Sequence, residues 1–414
     1  MELTPVKITT VRTDLPLPFT LWDKEGRLLA RAGSVIDDRQ ELQNLLQARE
    51  HIYIDVRDSE AHQRFHQSRL MTMVMNDERL DKIAQTSSRA SDLGERKVAS
   101  GPAENDAKPD WVYVQEQAHA ILRNGRNEGF LRQVDWLAQR ISRYSQVNPD
   151  GALLALMQMA SVEVERYSAT HSVLVSVLCG IAAREVLQWP TDLHPTLCHA
   201  ALTMNIGMTE LQDRLARQTE PLTPLQRENV GQHAERSVEL LEQLGLQDQT
   251  WLEAVRPHHI MVPGPLSSHT PGRRMARLIQ RADMFAAAMS PRAGRRPVPP
   301  SKAMKAIYFD ENSQVDEAGA ALIKAIGIYP PGSFVRLASG EVAVVVRRGA
   351  NTAAPGVAVV LNRNGLPNAD LTLRNTSRAG WRVTAGVPMA DVKLNLPPAR
   401  LLPLTLLPES RFDA

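Results

Sequence analysis

The spacing of apolar positions changes character along the chain and divides it into segments. Over residues 15–56 short apolar runs, Phe19-Thr20-Leu21-Trp22 and Arg27-Leu28-Leu29-Ala30, are punctuated by Pro16, Pro18 and Gly26, the signature of brief strands. Asp23-Lys24-Glu25-Gly26 predicts a hairpin turn, residues 39–48 a helix and residues 51–56 another strand. Residues 1–60 therefore read as a small α+β module without a catalytic constellation. Residues 61–110 read as a helix and a flexible linker, since 87–110 are rich in Ser, Ala, Asp, Glu, Lys and Gly and lack apolar periodicity. From 111 to about 326 the period is helical. Phe130, Leu131, Val134, Leu137 and Ile141 recur at three- and four-residue spacings, while Pro190, Pro195, Pro221, Pro224, Pro257 and Pro263-Gly264-Pro265 mark helix ends. After Tyr329-Pro330-Pro331-Gly332 the period falls to two. Strands are expected over 333–337, 341–346 and 356–361, with a fourth over 380–384, which makes residues 329–395 a small antiparallel β domain. The tail, 396–414, is rich in Leu and Pro and has no period to assign.

Composition narrows the functional classes. The 414 residues are 43% hydrophobic but only 5% aromatic, so the core rests on aliphatic side chains and Met, as helical domains allow. A net charge of +2 offers no general attraction to nucleic acid, which is not expected as a partner. Cys179 and Cys198 fall in apolar helical stretches and outside any CxxC pair, so buried reduced thiols are expected. No signal peptide is evident at the N-terminus, and the longest apolar run, 173–183, is well short of the ~20 residues a membrane span needs. The expectation is a cytoplasmic protein without a transmembrane segment.

Chemistry concentrates in the histidines of the helical segment. His171 stands in Tyr167-Ser168-Ala169-Thr170-His171-Ser172-Val173, His233 in Gly231-Gln232-His233-Ala234-Glu235, and His258-His259 close a helix that begins near Trp251. Asp283 lies among Ile279, Ala282, Met284 and Phe285, which leaves it either on a polar stripe or buried with a charged partner. A lone His or Asp is most simply a hydrogen-bonded core residue or a solvated charge. Four histidines and an aspartate on successive helices are also what helical metal sites are made from. Arg273, Arg274, Arg277 and Arg281 are read as a solvated basic helix face.

In order, these stretches resemble the HD-GYP family, HD-superfamily phosphodiesterases that hydrolyse cyclic di-GMP. His171-Ser172-Val173 matches the family's first His helix, and Glu220-Pro221-Leu222-Thr223-Pro224 leading to His233 resembles its Lys-Pro-Gly-Pro-Leu-Thr segment. His258-His259 matches its His pair, and Arg281-Ala282-Asp283-Met284-Phe285 its Ala-Asp-x-Phe/Tyr helix. Ser290, Arg292 and Arg295-Arg296 resemble its basic motif, and Tyr329-Pro330-Pro331-Gly332 the extension of many bacterial members. The resemblance spans about residues 111–350. It implies an HD-type helical bundle flanked by the α+β module and the β domain, a mainly α multidomain chain.

The departures are chemical. Where the family has His-Asp, followed by Ile-Gly-Lys, this chain has Met204-Asn205, and the Lys is Met208. The family's Asp bridges two metals around the attacking hydroxide; an amide is a poor bridge and a thioether a poor ligand for Fe or Mn. After His259 the family's Asp-Gly-x-Gly-Tyr-Pro becomes Ile260-Met261-Val262-Pro263-Gly264-Pro265, and Tyr167 stands where some members carry a Glu ligand. By resemblance, one metal position keeps His171 and Asp283 and the other keeps His233, His258 and His259. The set is either a vestigial cluster without metal or a mononuclear site for one Fe, Mn or Zn ion. Arg292 and Arg295 match residues that contact ligand phosphates. The expectation is a degenerate, essentially non-catalytic signalling protein that binds cyclic di-GMP or signalling partners, with homodimerisation left open. The alternative is a metal-dependent phosphohydrolase with an altered centre.

Overall fold

The computed structural model describes residues 3–6, 20–22, 28–30, 52–55 and 109–412, apart from 128, 261–263, 296, 393 and 395. The chain divides into two compact units, residues 1–108 and 109–414. In the first, strands β1 (Leu3–Val6), β2 (Leu21–Trp22), β3 (Leu28–Ala30) and β4 (Ile52–Asp55) form a sheet of order β1-β4-β2-β3, with all its pairings antiparallel. β2, β3 and β4 fall where the short apolar runs predict strands, whereas β1 lies ahead of them and was not expected. The hairpin turn at 23–26, the helix at 39–48 and all but the last two residues of the linker at 87–110 lie outside the described residues.

The second unit is built from helices α1 (Trp111–Arg123), α2 (Phe130–Val147), α3 (Pro149–Ala160), α4 (Tyr167–Glu185), α5 (Leu193–Thr203), α6 (Thr209–Arg217), α7 (Pro224–Gly231), α8 (His233–Gln243), α9 (Gln249–Val255), α10 (Pro271–Met289), α11 (Pro300–Tyr308) and α12 (Glu317–Ile326). α4 is its centre. Every α4 residue except Gly180, Arg184 and Glu185 is buried, as expected of a helix apolar on all sides. Its Ser, Ala, Thr and Gly positions let α1, α2, α3, α5, α10 and α12 pack around it. The starts of several helices follow local chemistry. Asp110 caps α1 through the Tyr113 N–H, Asn148 caps α3, and Thr223 forms a capping box with Gln226 behind Pro224. Among the described residues no helix is long and apolar enough to cross a membrane.

The C-terminal sheet has five antiparallel strands, β5 (Phe334–Leu337), β6 (Val342–Arg347), β7 (Gly356–Leu361), β8 (Pro367–Asn375) and β9 (Val383–Val387), in the order β8-β7-β6-β5-β9. Val344, Val346, Ala358 and Val360 face Leu154 of α3, Leu401 and Phe412, whereas Val345, Val357 and Val359 lie under Trp381 and Tyr329. Burial on both faces explains the unbroken valine runs of β6 and β7. The strand at β8 escapes sequence reading because Pro, Asn and Asp fill its first half, and the run expected at 380–384 is a short helical turn leading into β9. The tail beyond 396 folds as a short helix, α13 (Pro398–Leu401), and two helical turns that seal one sheet face with Phe412. Gly332, at φ +92°, passes so close to α3 that a Cβ would lie 2.9 Å from the Leu154 carbonyl. Arg348 completes the junction of sheet and bundle, reaching Asp150 at 2.5 Å and Glu185 at 2.6 Å.

Two sequence expectations meet this core directly. Cys179 and Cys198 are free and buried; burial pushes the Cys198 thiol up to about 11 and raises that of Cys179 as well. At pH 8 about one thiol in a thousand at Cys198 is then thiolate. Iodoacetamide is therefore expected to leave both thiols intact in the native protein and to label both after denaturation, as counted by intact mass. The solvated basic face expected on α10 is corrected for half its members. Arg277 is 5% and Arg281 1% exposed, and both bond Glu311 and Asp316. Burial of two guanidinia is tolerated because two carboxylates from outside the helix meet them.

Candidate metal and phosphate site

The three histidines expected at one metal position converge. His233 opens α8, and its Nδ1–H donates to the Val230 carbonyl at 2.5 Å, near the end of α7. His258 lies three residues past the end of α9, not within it, and its Nδ1–H donates to the Val255 carbonyl at 2.5 Å. Both rings bond carbonyls in the last turn of a helix. These bonds leave each Nε2 without a proton. The two Nε2 atoms nevertheless face each other at 3.2 Å, and the Nε2 of His259 lies 3.1 Å from that of His233. The ligand atoms of all three lie within 4.8 Å of one another.

Lone pairs at that separation repel unless a cation stands among them. Nitrogens held about 2.0–2.1 Å from one ion lie roughly 2.9–3.4 Å apart, so the donor set fits a single divalent metal. Burial, followed by the neighbouring His259 charge, pushes His258 down to about 3, and burial lowers His233 too. Both rings are therefore neutral at physiological pH, the form that ligates metal. His258 is buried and His259 exposed, so one side of the cluster opens to solvent.

His171 and Asp283 form the second group. The His171 Nε2 lies 2.6 Å from the Asp283 carboxylate. Burial works against that carboxylate, yet the hydrogen bond and charge of His171 hold it below the usual range. Asp283 thus takes the paired alternative rather than a polar stripe. It also lies within electrostatic reach of His233, His258 and His259, so the two groups share one neighbourhood. The Nδ1 of His171 is buried without a partner among the described residues.

Between the groups in sequence, Met204 and Asn205 directly follow α5 and are buried, at 0% and 3% exposed. The Asn205 Oδ1 has no partner among the described residues. The turn that follows is held against α8. The Gly207 N–H donates to Ser237 Oγ at 3.0 Å, and a Cβ on Gly207 would meet the His233 carbonyl and the Ser237 nitrogen at 2.8 Å. The half-buried Met208 next to it carries no charge. Ser237 had no sequence signal beyond its place one turn after His233, and only the packing reveals that it joins this turn to the helix that carries His233.

Arg292 and Arg295 sit on a tight turn closed by the Arg292 N–H to the Arg295 carbonyl at 3.1 Å and the reverse bond at 2.9 Å. Arg292 reaches the Tyr167 hydroxyl, and Tyr167 stacks on His171 with ring centroids 5.6 Å apart. No family model matches the chain, and no curated protein matches it. Among solved structures it is similar to Bd1817, described as an HDG"Y"P protein from Bdellovibrio bacteriovorus. The identity is 15% and the TM-score 0.43, over 78% of this chain and 98% of that one. Likeness at this level carries no property from one protein to the other.

Proposed function

We propose that this chain is a degenerate HD-GYP-like signalling protein that binds a phosphodiester ligand, cyclic di-GMP first among candidates, or docks signalling partners, without hydrolysing the ligand at enzyme rates. The observation that carries the reading is the burial of Met204 and Asn205 where the resembled family has its His-Asp pair. Neither side chain supplies an anionic oxygen to bridge two metals. Without the bridging carboxylate and its neighbouring His, the chain lacks the donors that would hold two ions around one attacking hydroxide. The protein keeps donors for one ion and two arginines suited to phosphate oxygens.

A second reading, a phosphohydrolase with a mononuclear centre, is favoured by the convergence of three imidazoles. His233, His258 and His259 would hold the ion, which supplies Lewis acidity and a water of lowered pKa. Metal analysis and cyclic di-GMP titration on the same anaerobic preparation decide between them. The expected result is binding without turnover. Hydrolysis by Mn- or Fe-loaded protein at about 1 s⁻¹ or faster would sink the first reading, and absence of any metal would end the second.

A further inference from the structure

The Arg292–Arg295 turn holds two positive charges with no carboxylate paired to them among the described residues. Among the described residues their side-chain acceptors are neutral, the Tyr167 hydroxyl for Arg292 and the Ala287 carbonyl for Arg295. Burial, followed by the repulsion of Arg292, lowers the Arg295 guanidinium. The turn is also fixed in place, since the Ala293 N–H donates to the Ala216 carbonyl at 2.8 Å at the end of α6. Like charges on a rigid turn, bonded only to neutral groups, suit the oxygens of an oxyanion.

Tyr167 is what orients the better-buried of the two. It is the first residue of α4 and 2% exposed. Its hydroxyl accepts from both Arg292 Nε at 3.3 Å and Nη2 at 2.9 Å, which occupies the side-on fork of the guanidinium. The end-on fork, with both Nη1 hydrogens and one on Nη2, is left for a ligand. The opposite duty falls on the ring, which stacks within 11° of parallel on His171, the partner of Asp283. Burial raises the phenol, so it stays neutral and does not quench the charge it holds.

We infer that Tyr167 is a positioning residue for a phosphate-binding subsite made by Arg292 and Arg295, tying that subsite to the His171–Asp283 pair. The inference rests on the proposed phosphodiester-binding role but is tested apart from it, with inorganic pyrophosphate as probe. Full-length protein, Tyr167→Phe, Arg292→Gln and the double variant are titrated calorimetrically. Tyr167→Phe keeps the stacked ring and removes only the hydroxyl, so metal content and Tm should match the parent. Pyrophosphate affinity should fall about two- to tenfold in Tyr167→Phe and further in Arg292→Gln. In the Arg292→Gln background, Tyr167→Phe should add nothing, because its effect runs through that arginine. A purely structural tyrosine would leave affinity unchanged or give additive losses, and either result overturns the inference, as does failure of the parent to bind pyrophosphate. If the coupling holds but cyclic di-GMP does not bind, the subsite stands and the cyclic di-GMP reading falls.

Discussion

His258→Ala is expected to reduce bound divalent metal from about one ion per chain to less than about a tenth, measured by mass spectrometry after anaerobic purification and buffer exchange. His258 is the most deeply buried member of the triad, with its Nδ1 committed to the Val255 carbonyl. Its Nε2 can therefore only accept, and it faces the equally committed His233. Three neutral ligands are the minimum that holds a divalent ion with an open position, and removing one leaves a pair that exchanges with solvent. His233→Ala should behave alike. Chelation supplies a second readout. An ion that binds only the folded chain adds stability by mass action, so a chelator should lower the Tm of the parent and leave that of His258→Ala unchanged. Equal metal content in parent and variant would count against a three-histidine centre.

The fold was legible in the sequence wherever period and burial agree. The amphipathic spacing of Phe130, Val134, Leu137 and Ile141 is α2, and the valine runs are β6 and β7, all buried as patterned. Legibility failed where a long-range partner decides the outcome. β8 is a strand because β7 pairs with it over 372–375 and at Pro367, which no local propensity reports. The α10 arginines read as surface because Glu311 and Asp316, which draw them inward, lie about thirty to forty residues away. At the site, motif order named His171, His233, His258, His259 and Asp283, and the structure sorts them into one convergent triad and one ion pair. What sequence order does not contain is the direction of each ring nitrogen, and that direction is what distinguishes a metal-fitting cluster from packed imidazoles. Arg292 and Arg295 were legible as residues, whereas their neutral partners Tyr167 and Ala287 follow only from how α4 and α10 meet the turn.

Asp316→Ala is expected to destabilise the helical unit by about 3–5 kcal/mol, lowering the Tm by roughly 10 °C. Asp316 is 6% exposed and accepts from Arg277 Nε at 2.7 Å, while Arg281 Nη2 lies 3.2 Å away. Its other oxygen caps α12 through the Gly319 N–H at 2.7 Å. Removing it strips two buried guanidinia of their buried counter-charge and leaves only Glu311, whose side chain is 41% exposed. Asp316→Asn should fall between, since the amide oxygen can keep the cap while the charge is lost. Glu311→Gln, on the solvent side of the same network, should cost about 1 kcal/mol or less. Hydrogen bonds from Arg277 lower the Glu311 carboxyl. Its contribution is therefore present above the ordinary glutamate range and lost as pH falls through the depressed folded value. Urea unfolding near neutral pH and again near pH 4 measures both effects. α10 carries Arg281 two residues before Asp283, but His233, His258 and His259 lie outside α10, so a loosened network should first be felt as stability, not as metal loss. Asp316→Asn is expected to keep the parent's metal stoichiometry at a lower Tm. His258→Ala should lose the metal yet keep the stability of the chelated parent to within the cost of its cavity. Parallel losses of metal and stability in both variants would mean that the triad and the arginine network are one cooperative element rather than two.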